Sequence, residues 1–357
     1  MKYFPTRALC FGLVGHQDQR SWWGVGFGMG LGVLIWLLGW SLAMPVNAQT
    51  SQTLSAAVLG VHVLNPQEIT EAKTLVDIKP SDQQWHYLTI PLTLADLTKK
   101  AEWQEFFSQA KSQRMIPIVR LMTKFENGSW KVPTRRDVIE LTEFLSALEW
   151  PTEQKFVIVF NEVNHANEWG GRIDPAEYAA ILRFTANWLH TENQNFAVLP
   201  AAMDLAAPNG TQTREAFSYL TAMLAADSEV FSQIDFWNSH SYPNPGFSSA
   251  PTRVAVNSLR GFWFELEFLK KHTNRDFRVF ITETGWADSS STRRRLSDYY
   301  TYALKNIWSD PRVIAVTPFV LRGAPGPFAA FGFLDQNNQP TNQYRSLQQA
   351  LQRIDQS

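Results

Sequence analysis

The chain has 357 residues, of which 45% are hydrophobic, and its 32 lysines and arginines balance 33 aspartates and glutamates to a formal net charge of −1. This balance, without a long run of either sign, excludes the basic surface that a nucleic-acid-binding domain normally carries. The length is sufficient for one large buried core, and the composition leaves small-molecule, carbohydrate and protein partners open.

The first 48 residues predict a targeting segment. Three basic residues precede an uncharged, apolar stretch at 22–44, and the small residues at Val46-Asn47-Ala48 suit a signal peptidase. The stretch is also long enough to cross a bilayer as a helix, so both a cleaved signal and a retained membrane anchor stay open. In either case we expect residues 49–357 to be exported: secreted, periplasmic or held at the membrane outside the cytoplasm.

From residue 57 onward, short runs rich in Val, Ile and Phe alternate with helical patterns, which is typical of a parallel sheet built from β-α units. The runs start about 30 to 45 residues apart, as a strand, a helix and two loops require. Eight runs are predicted as strands: "AVLGVHVL" from residue 57, "HYLTIPL" from 86, "MIPIVRL" from 115, "FVIVF" from 156, "FAVLPAAM" from 196, "IDFWNSHSY" from 234, "FRVFITET" from 277 and "VIAVTPFVL" from 313.

The segments between the runs predict helices. Apolar residues return every three or four positions over 94–111 and 134–150. The clearest helix start is at Asp174, which can cap the helix, with Pro175 at the first helical position and Glu177 where a capping box places its acid.

These patterns predict a single domain over residues 49–357, because no repeat, low-complexity tract or linker interrupts 57–357. Eight β-α units indicate a (β/α)8 TIM barrel, in which the chemistry lies at the carboxyl ends of the strands. A doubly wound open sheet is the alternative fold. The only cysteine, Cys10, precedes the apolar stretch, so the exported part has neither a disulfide nor a thiolate metal site.

Two carboxylates end predicted strands. In "KFVIVFNEVNH", at 155–165, five apolar residues give way to Asn161 and Glu162, and in "FITETGW" the seventh strand ends at Glu283. A retaining glycosidase needs an acid and a nucleophilic carboxylate about 5 to 5.5 Å apart, which two glutamates of one barrel mouth can provide. Arginine or hydroxyl donors would keep one carboxylate ionised, and its charge would favour the protonated form of the other.

The motifs "FNEVN", "SHSYP" and "ITETGW", on the fourth, sixth and seventh predicted strands, resemble those of clan A glycoside hydrolases. This clan comprises (β/α)8 retaining glycosidases that include cellulase-like, glucanase and xylosidase families. The resemblance covers residues 57–357 in strand order. It implies that Glu162 is the acid/base and Glu283 the nucleophile, and that the reaction needs no cofactor.

The resemblance also implies substrate contacts. Asn161 would hydrogen-bond the sugar 2-hydroxyl, His240 and Tyr242 would line the mouth beside the nucleophile, and Trp286 would form a wall of the cleavage subsite. The clan usually has an arginine at the end of the second strand, whereas "YLTIPLT" has none. The nearest candidate is Arg120, on the third predicted strand.

Aromatic side chains near strand ends are candidate sugar platforms, because sugar rings present apolar C–H faces that stack on aromatic rings. We expect Trp169, Trp286 and Tyr242 to act in this way. The clan commonly places a tryptophan at the end of the eighth strand, where this sequence offers only Phe319.

Other polar residues near strand ends leave alternatives. Glu168, in "HANEWGG", is the rival acid, which we expect on a loop that shapes the cleft. Asp204 and Asp288 also follow strands and are predicted to be loop carboxylates.

The predicted function is therefore retaining hydrolysis of a polysaccharide or oligosaccharide. One alternative is a non-catalytic carbohydrate-binding barrel involved in handling a surface polysaccharide. The other is a metal-dependent barrel hydrolase using His62, His165 and His240, since metallohydrolases gather histidines at the same mouth. We expect no metal site, because the first strand carries one histidine where metal-dependent amidohydrolases carry two.

Overall fold

The computed structural model describes residues 59–78 and 84–356. The predicted targeting segment, including the apolar stretch at 22–44, lies outside these residues. Among the described residues, none of the helices combines the length and the apolar character needed to cross a membrane.

Within the described residues, parallel strands and α-helices alternate along the chain. The strands are β1 (Gly60–His62), β2 (His86–Leu92), β3 (Met115–Leu121), β4 (Phe125–Glu126), β5 (Ser129–Trp130), β6 (Lys155–Val159), β7 (Phe196–Pro200), β8 (Trp237–His240), β9 (Val279–Glu283) and β10 (Val313–Val316). The helices are α1 (Ile69–Val76), α2 (Lys100–Gln113), α3 (Arg135–Ser146), α4 (Pro175–Glu192), α5 (Ala216–Ala226), α6 (Gly261–Thr273), α7 (Leu296–Asn306) and α8 (Asn342–Asp355).

The parallel strands close into a barrel. Five of them pair in the order β1-β2-β3-β6-β7 and three in the order β10-β9-β8. Leu59 pairs in parallel with Val316, and Asp204 with His240, so both edges of one sheet meet edges of the other. The predicted (β/α)8 barrel is confirmed, and the alternative of an open, doubly wound sheet is wrong because its free edges are absent from the described strands.

Alternating side chains of the strands pack on the two sides of the barrel wall. Val157 and Val159 of β6 belong to the large core shared with the helices. Phe156 and Ile158 of the same strand belong to a second buried cluster, made of strand residues alone, which fills the barrel interior. Burial on both faces explains why each strand is a continuous apolar run in the sequence.

Helix α4 begins as predicted, with one difference. The Asp174 side chain accepts a hydrogen bond from the backbone N–H of Glu177, and Pro175 occupies the first turn. The Glu177 carboxylate does not complete a capping box. It accepts from Trp169 Nε1 at 2.9 Å and from Arg172 Nη2 at 2.6 Å, and so fixes the loop that precedes the helix.

Candidate active site

Glu162, His240 and Glu283 converge at the carboxyl ends of β6, β8 and β9. One oxygen or nitrogen atom from each side chain lies within 4.8 Å of the corresponding atoms of the other two. His240 Nδ1 is 2.8 Å from Glu162 Oε1 and 3.8 Å from Glu283 Oε2. The pairing of β8 with β9 shifts register after Ser239, so that His240 lies opposite Glu283. The two predicted catalytic carboxylates are therefore neighbours in one mouth.

The backbone leaves the barrel wall abruptly before Glu162. Phe160 has φ +70° and Glu162 φ +28°, both in the left-handed region, which residues other than glycine rarely adopt. Buried Asn164 ties the turn to the next loop, since its Nδ2 donates to the carbonyls of Asp204 and Arg214 at 3.0 Å. Strained backbone of this kind persists where the surroundings enforce it and is concentrated at functional sites.

Glu283 is surrounded by donors. Its Oε1 accepts from Arg120 Nη1 at 2.5 Å and its Oε2 from the Tyr242 hydroxyl at 3.1 Å. Burial by itself would raise the pKa of Glu283, but the positive charges of His240 and Arg120 outweigh it and hold this pKa well below its usual value. Glu283 is therefore an ionised carboxylate at neutral pH.

His240 is fully buried between the two carboxylates. Burial alone would lower its pKa, but the negative charges of Glu283 and Glu162 and the hydrogen bond to Glu162 raise it above the usual value. The carboxylates therefore favour the protonated ring. The ring of His240 thus holds Glu162 beside Glu283.

His62 lies on the other side of Glu283, with Nδ1 3.5 Å from Glu283 Oε1. Burial, followed by the positive charge of Arg120, lowers the pKa of His62 to about 3, so the ring is neutral. Neither ring nitrogen has a hydrogen-bond partner among the described residues. His62 packs edge-on against Phe319, with ring centroids 5.1 Å apart, and so forms part of the floor beneath Glu283.

Arg120 connects the two halves of the mouth. The same Nη1 atom that contacts Glu283 lies 2.8 Å from Asn161 Oδ1. Arg120 belongs to β3, the third strand of the barrel, so the strand count from the sequence is right. The arginine that contacts Glu283 therefore comes from the third strand and not from the second. Because Asn161 uses its carbonyl oxygen for Arg120, its amide N–H groups are left to donate to neighbouring acceptors or to a ligand.

A third carboxyl group lies in the mouth. Glu168 ends a short 3-10 helix at Ala166–Glu168, and its carboxyl group lies near Asn161. Burial and the nearby negative charge of Glu162 raise the pKa of Glu168 to about 7. Its Oε2 atom is buried without a hydrogen-bond partner among the described residues. Glu168 lies on a loop, as expected, and close enough to Glu162 for the charge of that carboxylate to act on it.

The two tryptophans expected to bind sugar are in the core. Trp169 is 1% exposed and packs edge-on against Tyr178, and Trp286 is fully buried against Tyr299 and Tyr300. Neither indole has a face open to a ligand, so the expectation that they act as stacking platforms is wrong. Both indoles also donate inside the protein, Trp169 to Glu177 and Trp286 to a backbone carbonyl.

Exposed aromatic surface in the mouth comes instead from residues that the motifs did not indicate. Phe247 packs edge-on against Tyr242 at 5.1 Å, and Phe328 against Phe319 at 5.1 Å. Phe331, itself buried, contacts Tyr242, Phe247 and Phe319 and joins them into one aromatic wall beside Glu283. The sequence signal was the run of phenylalanines in the Gly/Pro-rich loop "RGAPGPFAAFGF" after the eighth strand.

The three histidines of the metal hypothesis do not converge. His165 Nε2 pairs with Asp204 Oδ2 at 2.9 Å, away from His62. The group within the described residues that could hold a cation is Glu162, His240 and Glu283. There the guanidinium of Arg120 already lies against Glu283, and its positive charge opposes a divalent ion at the same oxygen.

Asp288, a predicted loop carboxylate, pairs with Arg293 at 2.8 Å.

Comparison with protein-family models gave no match, and comparison with the sequences of curated proteins also gave none. Solved structures do match. A β-xylosidase from Caulobacter crescentus CB15 has a TM-score of 0.58 at 14% identity, over 81% of this chain and 66% of its own. GH5_18 from Streptomyces cattleya, solved in complex with GlcNAc, has a TM-score of 0.60 at 13% identity, and the match covers 83% of this chain and 80% of that one. An endo-β-1,4-glucanase from Xanthomonas axonopodis pv. citri has a TM-score of 0.52 at 14% identity, and the match covers 83% of this chain and 99% of that one.

The chain spans 66% of the length of the xylosidase, just under two thirds. At these identities the likeness concerns the fold, which is the (β/α)8 barrel in each case. The resemblance to clan A glycoside hydrolases, first indicated by three short strand-end motifs, is thus confirmed for the architecture that carries those motifs.

Proposed function

We propose that the protein is a retaining glycoside hydrolase that acts on a polysaccharide or oligosaccharide. The observation that carries the proposal is the proximity of Glu162 and Glu283, each with a carboxyl oxygen within 4.8 Å of the other. Retaining enzymes place these groups about 5 to 5.5 Å apart, whereas inverting enzymes leave about 6.5 to 9.5 Å for a water molecule. The observed spacing suits direct attack by a carboxylate.

In the first step the Glu283 carboxylate attacks the anomeric carbon, and the bond to the leaving oxygen breaks. Glu162 donates its proton to that oxygen, so the leaving group departs as a neutral alcohol. The positive charges of His240 and Arg120 keep Glu283 ionised before attack, and the Tyr242 hydroxyl donates to its second oxygen. The product of this step is a glycosyl ester of Glu283.

In the second step Glu162, now a carboxylate, takes a proton from water while the water oxygen attacks the anomeric carbon. The ester bond to Glu283 breaks, and Glu162 is protonated again. Two inversions leave the sugar with its original configuration. This cycle uses carboxyl groups, water and substrate, and requires no cofactor.

The aromatic wall of Phe247, Phe328 and Phe331 supports a carbohydrate as the ligand of the mouth, because aromatic rings stack on the apolar faces of sugars. The similar solved structures include a β-xylosidase, an endo-β-1,4-glucanase and a GH5_18 enzyme in complex with GlcNAc. We take β-linked xylose, glucose and N-acetylglucosamine as the first sugars to test.

Trapping of the glycosyl ester tests the mechanism. The full-length protein is incubated with activated 2-fluoro glycosides of xylose and glucose and with the 5-fluoro glycosyl fluoride of N-acetylglucosamine, whose C2 carries the acetamido group. It is then digested and examined by mass spectrometry. We expect a sugar-sized mass increment on the peptide that contains Glu283, and no increment in Glu283→Gln. The matched control Asp288→Asn changes a carboxylate of the loop that follows β9 and should label like the wild type. A folded protein that binds glycans but is never labelled would instead be the non-catalytic carbohydrate-binding barrel.

Export remains part of the proposal and rests on residues 1–48. Amino-terminal sequencing of the mature protein distinguishes a signal cleaved after Ala48 from an anchor retained at 22–44. Recovery of the intact amino terminus in a soluble cytoplasmic fraction would contradict both.

A further inference from the structure

An open apolar groove lies on the rim of the barrel, outside the catalytic mouth. It encloses about 410 Å³ and is lined by residues 93–95, which follow β2, and by residues 123–125 and Trp130, which follow β3. Phe125 is 54% exposed, and its ring meets that of Trp130 edge-on at 5.4 Å. We call this feature the hairpin groove, because strands β4 and β5 form one of its walls.

The hairpin that carries the two aromatic rings is held in shape. Asn127 and Gly128 form its turn with φ +53° and +82°, the two positive values that a type I′ hairpin turn requires. The backbone N–H of Lys131 donates to the carbonyl of Lys124 at 3.0 Å, and the hydroxyl of Thr123 donates to the backbone carbonyl of Lys131 at 2.6 Å. The rings of Phe125 and Trp130 are therefore presented by a preformed surface.

Two backbone connections link the groove to residues of the mouth. Thr123, in its lining, is three residues beyond Arg120, the residue that contacts Glu283. On the other side lies Gly170, two residues beyond Glu168, whose backbone N–H donates to the carbonyl of Trp130 at 2.7 Å. A side chain at Gly170 would bring its Cβ within 2.8 Å of Val132, so glycine permits this close contact.

The chemistry of the groove suits a neutral ring with an apolar face. The charged side chains beside it satisfy one another, since Glu126 pairs with both Lys124 and Lys131. A sugar ring supplies apolar C–H groups to aromatic rings and keeps its hydroxyls in water, as an open groove allows.

From this arrangement we infer that the hairpin groove is a distal subsite for a pyranose ring of the same glycan chain that enters the catalytic mouth. The inference rests on the proposed function, since it takes the chain crossing Glu162 and Glu283 as its ligand. It adds a preference for chains long enough to span both places. Phe125 and Trp130 are the residues that would set this preference.

The test compares substrates of different length. The full-length wild type, Phe125→Ala, Trp130→Ala and the control Val254→Ala are assayed on aryl monoglycosides and on xylo- and cello-oligosaccharides of two to six units. Val254 is an equally exposed apolar residue of another loop. We expect the ratio of kcat/KM for long to short substrates to fall about three- to tenfold in the two groove variants, as loss of one stacking contact would give. Val254→Ala should keep the wild-type ratio.

A fall that is equal for long and short substrates would overturn the inference, because the hairpin would then only support the active site. An unchanged ratio would overturn it as well. If the wild type hydrolyses no substrate of the panel, the proposed function fails, and the groove is tested by calorimetric titration with the same oligosaccharides. Saturable binding that weakens in Trp130→Ala would then support the groove alone, and absence of such binding to the wild type would overturn it.

Discussion

The guanidinium of Arg120 lies against Glu283, with Nη1 2.5 Å from Oε1, although the two residues are 163 positions apart in the sequence. Both side chains are buried, and Arg120 also holds Asn161 at 2.8 Å. A single residue of β3 thus helps His240 to keep Glu283 ionised and orients the amide next to Glu162. Several consequences of this placement can be measured.

Replacing Arg120 by lysine keeps the positive charge but loses the planar group that reaches Glu283 and Asn161 together. We expect kcat on an activated aryl glycoside to fall about 10²-fold, as for removal of one preorganised donor. The matched control is Arg322→Lys, which alters an ion pair with Glu68 and Glu71 away from the mouth. A similar fall in both variants, with similar losses of thermal stability, would mean that Arg120 acts through the fold alone.

Truncating the two carboxylates separately should distinguish their roles. We expect kcat to fall at least about 10⁴-fold in Glu283→Ala, since the nucleophile is lost. Added azide can then attack the anomeric carbon in place of the carboxylate and give a glycosyl azide of inverted configuration. In Glu162→Ala the ester on Glu283 still forms from an activated substrate, and azide should give the retained configuration. NMR of the products decides between these outcomes, and the opposite pairing would exchange the two assignments.

The barrel was predictable because its strands are buried on both faces and therefore read as short apolar runs, and β2 and β3 have the bounds of the predicted runs. Glu162 and Glu283 were predictable for the same reason, as each carboxylate ends such a run. The target of Arg120 was not, because a guanidinium at a strand end does not reveal which distant carboxylate it meets.

Burial of aromatic residues in loops was the main error. Trp169 and Trp286 follow strand ends, as a sugar platform would, but each finds aromatic partners on a neighbouring helix, Tyr178 of α4 or Tyr299 and Tyr300 of α7. Loop residues such as Phe328 remain exposed because the chain leaves them without such a partner on one side. Which indole is covered depends on how loops fold over helices, and local sequence does not encode that.

Glu168 should shape the pH dependence of catalysis. Its pKa is raised to about 7, so its charge appears as the pH rises from 6 to 8. A negative charge near the anomeric carbon stabilises the oxocarbenium-like transition state, so ionisation of Glu168 should increase kcat. The ratio of wild-type to Glu168→Gln kcat is therefore expected to rise with pH over this range, by up to about tenfold.

The control for Glu168 is Glu177→Gln, which changes a carboxylate bound to Trp169 and Arg172 in the same region. Its kcat relative to the wild type should not vary with pH between 6 and 8. If Glu168→Gln gives an equally flat ratio, the carboxyl group of Glu168 does not titrate in the working enzyme.

Glu265, on α6, should make the stability of the protein depend on pH. It is fully buried and accepts a hydrogen bond from Ser239 Oγ at 2.5 Å. Burial raises the pKa of Glu265 from 4.5 to about 7, so the folded protein keeps a proton there that the unfolded chain has released. The free energy of unfolding should therefore decrease as the pH rises from about 4.5 to about 7, by on the order of 3 kcal/mol from this group.

Glu265→Gln replaces the protonated acid by a neutral group of similar shape and should remove this part of the pH dependence. Urea denaturation of the full-length protein at pH 5 and pH 8 measures it: the variant should gain stability relative to the wild type at pH 8 and gain less at pH 5. Glu267→Gln, an exposed position two residues further along the same helix, is the control and should follow the wild type at both pH values. If the wild type and Glu265→Gln lose the same stability between pH 5 and pH 8, Glu265 is already ionised in the folded protein over this range. Water must then reach its carboxylate behind β8.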